Sequence, residues 1–571
     1  MKKLLTYSSC TLLSACSLFA ETAWFGTIEV SSLQGLQTGI ETFAKAAEIP
    51  LPEEGIPNLV SLFFENTLPI ASPATAISLK DTIRVFLLED TEDPLSDGGE
   101  PEAVLSFTLP GEIKVLQDQL AKVYGARRDA ENVVTFNTPP NPGLPENLLL
   151  AAAENGKALV ATSKEALDWF QKQQKLDAFL PVAGNQTIKA CVSMKWFAEV
   201  MEELPMPGGE GNAFAALMND IEYLSFALTP NAQALTLTYG LRFKEGSVLA
   251  TLANAVKPPD AVLWNGLPEN ALFGYVGQQS MQADAAKIVE TYLKQPIPLD
   301  PVQVKLEQAI TRDLIRYLVP TADKKAFRLI DINPVKDAAA VKEIIKALDQ
   351  NEAAGFKKEP SREIGQQTIE RYSLVIDPAA LMRQAQGIDP AMFAPGGNPT
   401  VAPVMALLST LTKGIVMECT VKDNYFLSAI GPADATDDWL PAIPFPAPTV
   451  TLDKKLAADP TAKPLLQAGE VNLTPLLRQL ISMLPNVKPE HLNLFAAKTD
   501  AIQFWASRTP DNTTIATVRV PANEVASIIK IATNGQAVLQ ELIFSFFTNR
   551  MMPMMMQPPQ QPPAVQPPPN F

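Results

Sequence analysis

The chain has 571 residues, 47% of them hydrophobic and 19% charged, with 50 prolines, a formal net charge of −16 and a single histidine. That apolar fraction supports folded cores and excludes global disorder, and the length corresponds to roughly three to four domains of about 150 residues. The acidic balance lacks the basic footprint a nucleic-acid binder needs, and the lone His491 removes Ser-His-Asp hydrolases, multi-histidine zinc sites and two-histidine iron sites.

In chain order, Lys2 and Lys3 precede a mostly apolar run from Leu4 to Ala20. A charged start followed by an apolar stretch too short to span a bilayer reads as a signal peptide over residues 1–20, and predicts export from a bacterium. Two processing readings stand. Leu13-Ser14-Ala15-Cys16 matches a lipobox, which would lipidate Cys16 and tether the chain to a membrane; the other is ordinary cleavage after Ala20. The mature chain keeps Cys191 and Cys419, each inside a strand-like run, where a buried thiol behaves as a small hydrophobe.

From Trp24 onward the chain repeats itself at long period, the pattern that marks repeated architecture. Trp24-Phe25-Gly26-Thr27-Ile28-Glu29-Val30 and the helical pattern ending Glu41-Thr42-Phe43-Ala44-Lys45 are echoed by Leu272-Phe273-Gly274-Tyr275-Val276-Gly277 and Glu290-Thr291-Tyr292-Leu293-Lys294. Asp81-Thr82-Ile83-Arg84 recurs as Asp313-Leu314-Ile315-Arg316. The stretch Leu148 to Trp169, with an Asn155-Gly156 turn, matches Val416 to Trp439, with an Asp423-Asn424 turn. Val192-Ser193-Met194 corresponds to Val471-Asn472-Leu473, and a turn at Thr229-Pro230-Asn231 to one at Thr509-Pro510-Asp511. The organisation read from these echoes is module A (21–180), module B (181–262), module A′ (263–450) and module B′ (451–545), followed by a tail (546–571).

Within the modules, Leu224 to Leu228 and Leu235 to Tyr239 alternate as half-buried strands. Ile113 to Tyr124 and Val341 to Leu348 carry apolar residues at helical spacing. The fold class expected is α+β: a tandem duplication of a two-module unit, with antiparallel sheets and helices packed on one face. The tail from Met551 to Phe571, with eight prolines, five methionines and no charge, reads as a disordered or polyproline-like extension.

Motifs that carry chemistry are sparse. The acidic stretch Glu89 to Glu100 lacks calcium-loop spacing and loses its acids in the repeat, so it reads as a solvated hairpin tip. Pro207-Gly208-Gly209-Glu210-Gly211-Asn212 lacks the Lys-Ser/Thr ending of a phosphate loop. The tail methionines read as low-complexity sequence ahead of a Cu(I) site, and His491 reads as a surface residue. No catalytic residue, cofactor or metal site is predicted.

The functional signal is an asymmetry between copies. Module A′ carries a longer insert, 377–413, whose apolar residues include Met382, Met392, Phe393, Met405 and Leu408. Insertions on a repeated scaffold map to loops, where binding concentrates, so these residues are the candidate partner-binding site.

Three stretches, Leu148-Leu149-Leu150-Ala151 to Leu159-Val160-Ala161-Thr162-Ser163, the short helix Lys164 to Phe170, and the strand then helix from Lys189, resemble a group of exported bacterial proteins of unknown function built from such modules. The resemblance is structural and carries over no active site. The expectation is a non-enzymatic protein of the periplasm or cell envelope, a binding or structural scaffold whose partner is another envelope component. The alternatives are a periplasmic carrier of hydrophobic ligands and a carboxylate-dependent hydrolase, which needs only two acids about 5–10 Å apart.

Overall fold

The computed structural model describes residues 23–49, 78–89, 102–109, 112–124, 127–128, 133–137, 147–152, 157–172, 187–195, 198, 210–348, 356–374, 414–435, 437–445, 451–483, 487–496, 498–509 and 512–534. Cys16, the acidic tip after Glu89, the insert residues Met382, Met392, Phe393, Met405 and Leu408, and the Met/Pro tail lie outside these residues.

The strands of the first half are Ala23–Val30 (β1), Ile83–Glu89 (β2), Glu102–Thr108 (β3), Arg127–Arg128 (β4), Val134–Asn137 (β5), Asn147–Ala152 (β6), Lys157–Ala161 (β7), Ile188–Ser193 (β8), Ile221–Pro230 (β9) and Ala234–Phe243 (β10). Those of the second half are Phe273–Gln278 (β11), Asp313–Pro320 (β12), Phe327–Pro334 (β13), Phe356–Ile364 (β14), Gln367–Leu374 (β15), Ile415–Lys422 (β16), Tyr425–Pro432 (β17), Leu465–Val471 (β18), Ile502–Arg508 (β19) and Thr513–Pro521 (β20). The helices used below are Leu33–Ala46 (α1), Ile113–Tyr124 (α2), Lys164–Lys172 (α3), Leu452–Leu456 (α4), Leu473–Ser482 (α5), Pro489–Leu492 (α6) and Ala522–Asn534 (α7).

All described pairings are antiparallel and join the strands into one large sheet. Across it the first half runs β4-β5-β6-β7-β3-β2-β1-β8-β9-β10. β10 then pairs β20, from Ala234 opposite Pro521 to Arg242 opposite Thr513. The second half continues β20-β19-β18-β11-β12-β13-β17-β16-β15-β14. Counted outward from the β10–β20 pair, both halves place their strands in the same chain order.

Local chemistry explains the element boundaries. Asp423 and Asn424 both adopt positive φ, 46° and 63°, as a two-residue hairpin turn requires, and they join β16 to β17. Asn231 ends the β9–β10 hairpin by accepting the backbone N–H groups of Gln233 and Ala234 on its Oδ1. Ser32 caps α1, its Oγ accepting from Gly35 N at 2.9 Å. The edge strand β14 exposes Lys357, Lys358 and Glu363 and contains Pro360, features that discourage a further strand from adding there.

Helices cover both faces of the sheet, which corrects the expectation of a single helical face. In the first half, Leu33 and Leu36 of α1 and Leu116 of α2 pack with Val30, Leu105, Phe107, Leu150 and Val160. Ala166 and Leu167 of α3 pack on the alternate residues Phe86, Val104, Leu159 and Ala161. Because successive strand residues point to opposite faces, the two groups must lie on opposite sides of the same strands. In the second half the main core gathers Val276, Ile315, Ile332, Leu427 and Trp505 under Trp264, Trp439 and Leu452.

At the centre of the sheet the alternation has an unexpected sense. Ser225, Thr238 and Thr517 are each 1% exposed, while Leu237 and Val518 are half-buried and Tyr239 is 42% exposed. The hydroxyls are satisfied within the packed side: Thr238 Oγ1 lies 3.3 Å from Thr517 Oγ1, and Thr517 Oγ1 lies 3.3 Å from Thr461 Oγ1. On the other side Leu235 packs against Phe43 and Ala47 at the end of α1 and Ala522 of α7. His491 is also displaced from expectation. It is 4% exposed in α6, with Nδ1 accepting the Lys488 N–H at 3.3 Å.

Candidate functional site

A cleft of about 720 Å³ opens where the halves meet, beside the β9–β10 turn, the ends of β18 and β20 and the start of α7. Its volume falls within the roughly 300–1,000 Å³ typical of small-molecule sites. The floor is set by ladder register: Arg519 of β20 stands opposite Gln503 of β19, and Gln503 opposite Glu470 of β18. Three polar side chains from three strands are thereby placed side by side at the roughly 4.8 Å spacing of neighbouring strands. Lys455 of α4, Asp500 ahead of β19, Asn523 of α7 and Gln233 of the hairpin complete the polar rim.

Charges in the cleft are unequally satisfied. Lys455 Nζ holds Glu470 through both carboxylate oxygens, at 3.0 and 3.3 Å. Asp500 accepts one hydrogen bond from the Asn523 amide at 3.1 Å, and Arg519 makes one long contact, 3.5 Å, to Gln233 Oε1. Among the described residues neither Arg519 nor Asp500 forms an ion pair. Arg519 stands inside the ladder opposite Gln503, whereas Asp500 comes from the segment that precedes β19.

A second charged cluster is buried and self-contained. Glu418, 2% exposed, accepts from Arg328 Nη1 at 3.1 Å, Arg362 Nη2 at 2.8 Å and Arg371 Nε at 3.1 Å. Arg328 also donates to Asp437 Oδ1 and to the Ala435 carbonyl, Arg362 to the Asp437 carbonyl, and Arg371 to the Ala433 carbonyl. Three strands thus hold the segment after β17 by its carbonyl oxygens, a structural task, since buried charges must be paired.

Two perturbed groups away from the cleft are explained by packing. Burial pushes the Cys191 thiol up to about 12, with the Glu222 carboxylate adding to the effect. Burial likewise raises the Tyr275 phenol to about 12, against the lowering influence of Arg316. Cys191 and Cys419 are both buried thiols. Among the described residues no group of three or more His, Cys, Asp or Glu side chains is arranged to hold a metal ion, and no helix is long and apolar enough to cross a membrane.

Sequence reasoning centred on the 377–413 insert did not find the cleft residues. One signal was available: Arg519 sits between Val518 and Val520 in a strand pattern, as Arg328 sits between Phe327 and Leu329. A charge inside an apolar strand run marks a face that is not plain core.

No family model matches the chain, and no curated protein matches it. A solved structure, "Structure of crystal form IV of TP0453", is similar over 43% of this chain and 87% of that chain, at 9% identity and a TM-score of 0.21. At that score it carries no argument about this protein.

Proposed function

We propose that the chain is a non-enzymatic, exported cell-envelope protein, a duplicated α+β scaffold that binds an envelope component in the cleft at its seam. The observation that carries the reading is the Arg519–Gln503–Glu470 row with its partly unsatisfied rim. Binding sites have this form: a concave surface with a few convergent polar groups held on rigid elements. The identical strand order on either side of the β10–β20 pair supports the duplication, together with the sequence echoes. Export rests on the N-terminal pattern of residues 1–20, with Cys16 lipidation and cleavage after Ala20 as its two forms.

Mass spectrometry of the N-terminus isolated from the producing cell tests export. A chain beginning at Glu21, or at a lipid-modified Cys16, supports it; an intact Met1 terminus throughout the population overturns it.

A second reading, a carboxylate-dependent hydrolase, is favoured by one observation, that Glu470 and Asp500 line the same cleft. Incubating the purified mature protein with peptide and glycan substrates separates the two. Turnover abolished by Glu470→Gln or Asp500→Asn establishes the hydrolase, and occupancy of the cleft without turnover supports the scaffold. The apolar part of the lining, Ala46, Ala232, Ala234, Ala501, Pro521 and Ala522, consists of small side chains that offer a hydrophobic ligand little surface.

A further inference from the structure

We infer that the sheet face opposite the cleft binds a single-chain fatty acid, with its carboxylate on Arg508 and Thr514 and its hydrocarbon chain along β20 beside Tyr239. The site is separate from the cleft and does not depend on it. Arg519 and Thr514 are an odd number of positions apart on β20, so their side chains leave opposite faces of the sheet.

Three observations converge on this assignment. The first is a pair of unsatisfied polar groups. Arg508 of β19 and Thr514 of β20 stand directly opposite one another, which places their Cβ atoms about 4.5–5.5 Å apart on one face. Arg508 Nε and Thr514 Oγ1 are both buried, and neither has a hydrogen-bond partner among the described residues. Orphaned buried donors are costly and uncommon. Two of them side by side match the two oxygens of one small anionic head group. Burial alone pulls the Arg508 guanidinium below its ordinary range, with no described carboxylate opposing the effect.

The second is an apolar track that starts at this pair. Beyond Thr514 the same face of β20 carries Ala516 and Val518, and β10 sets Tyr239 and Leu237 opposite them. Ala516 is exposed, Tyr239 is 42% exposed, and Val518 and Leu237 are half-buried, so the covering helices leave this stretch open. From Thr514 to Val518 the track runs about 13 Å at about 3.4 Å per residue. The small Ala516 beside the Tyr239 ring makes a dip one side chain wide, which suits one hydrocarbon chain. A cation at the end of an apolar track is the complement of an anionic amphiphile.

The third is a cover that can yield. The one described hydrogen bond of Arg508 runs from Nη2 to the Ala253 carbonyl. Ala253 lies in the helix Val248–Ala255, which is apolar in sequence yet has no buried residue. A helix seated so shallowly costs little to shift, and its shift opens the guanidinium edge to a head group.

Calorimetric titration of the purified, delipidated protein with dodecanoate, decanoate, dodecanol and dodecyl phosphate tests the assignment. Dodecanoate is expected to bind at least about tenfold more tightly than dodecanol, the value of a hydrogen-bonded charge. Decanoate should bind roughly tenfold more weakly than dodecanoate, because each buried methylene is worth about fourfold in affinity. Arg508→Gln should bring dodecanoate down to the dodecanol level. Thr514→Val should weaken dodecanoate about fivefold and leave dodecanol unchanged. Ala516→Trp, which fills the dip, should abolish binding of both.

Circular dichroism of each variant separates loss of binding from loss of fold, and the wild-type comparison of dodecanoate with dodecanol needs no variant. No binding of dodecanoate, equal binding of dodecanoate and dodecanol, or a carboxylate preference that survives Arg508→Gln overturns the inference. Tighter binding of dodecyl phosphate than of dodecanoate overturns the carboxylate head, and undiminished binding to Ala516→Trp overturns the track.

Discussion

Thr238 and Thr517 oppose one another at the centre of the β10–β20 ladder, each 1% exposed, with their Oγ1 atoms 3.3 Å apart. They come from different halves of the chain, so the seam is joined by side-chain hydroxyls as well as by the ladder. Thr461 extends the chain of hydroxyls: its Oγ1 lies 3.3 Å from Thr517 Oγ1, accepts the Trp505 Nε1–H at 3.1 Å and donates to Asp459 Oδ1 at 2.6 Å.

Thr461→Val therefore leaves the buried Trp505 N–H without its acceptor. The expected loss is about 1–3 kcal/mol, the range for an orphaned buried polar group. Thr238→Val removes one hydroxyl from a chain that keeps its other members, and should cost less, about 0.5–1.5 kcal/mol. Urea midpoints at unchanged slope measure both, and equal losses for the two variants would contradict the assigned hydroxyl chain.

Glu418 is the only carboxylate shared by Arg328, Arg362 and Arg371 among the described residues. Glu418→Ala removes the shared carboxylate, leaving Arg328 with Asp437 and Arg362 and Arg371 with carbonyl oxygens alone, and should destabilise by about 3–5 kcal/mol. The second-half core around Ile330 and Ala429 should loosen first, visible as faster amide exchange in β13 and β17. A loss under about 1 kcal/mol would show that water replaces the carboxylate.

Gly469 lies beneath the Phe504 ring, and a Cβ there would also meet the Gly274 carbonyl oxygen at 2.7 Å. The backbone oxygen cannot rotate away as a flexible side chain can. Gly469→Ala should cost about 1–3 kcal/mol through overpacking, read as a lowered Tm. An unchanged Tm would mean that β11 and β18 separate more easily than the ladder implies.

Alkaline stability should decline in a defined window. The Cys191 thiol rises from its ordinary 9.0 to about 12 on folding, and the Tyr275 phenol from 10.0 to about 12. Between these limits the folded state keeps protons that the unfolded state releases, so folding stability is intact below about pH 9 and is lost as pH climbs toward 12. Denaturation of the wild type and Cys191→Ala at a series of pH values isolates the thiol's share: the gap between the two proteins should change between pH 9 and 12 and stay constant below. In the folded state at pH 8 the thiol should resist alkylation, because the reactive thiolate is suppressed.

Much of the framework was legible in the chain itself. Asp423-Asn424 and Thr229-Pro230-Asn231 announce hairpins because few residues accept those turn geometries, and Ile113 to Tyr124 announces a helix by its apolar spacing. Local chemistry is sufficient for these features, since each depends on residues a few positions apart.

The faces and the site were decided by tertiary structure. Leu235, Leu237 and Tyr239 read as the inward side of β10, yet Thr238 is the residue locked away, because helices on one side and the segment around Thr461 on the other cover both faces. Alternation tells which residues share a face, and says nothing about which face is buried more deeply when both are covered. The Arg519–Gln503–Glu470 row depends on the registers of two ladders between strands separated in sequence. Composition and repeats by themselves determined an acidic, histidine-poor, repetitively patterned chain; only the packed sheet, by fixing those registers, brought its unpaired charges into one cleft.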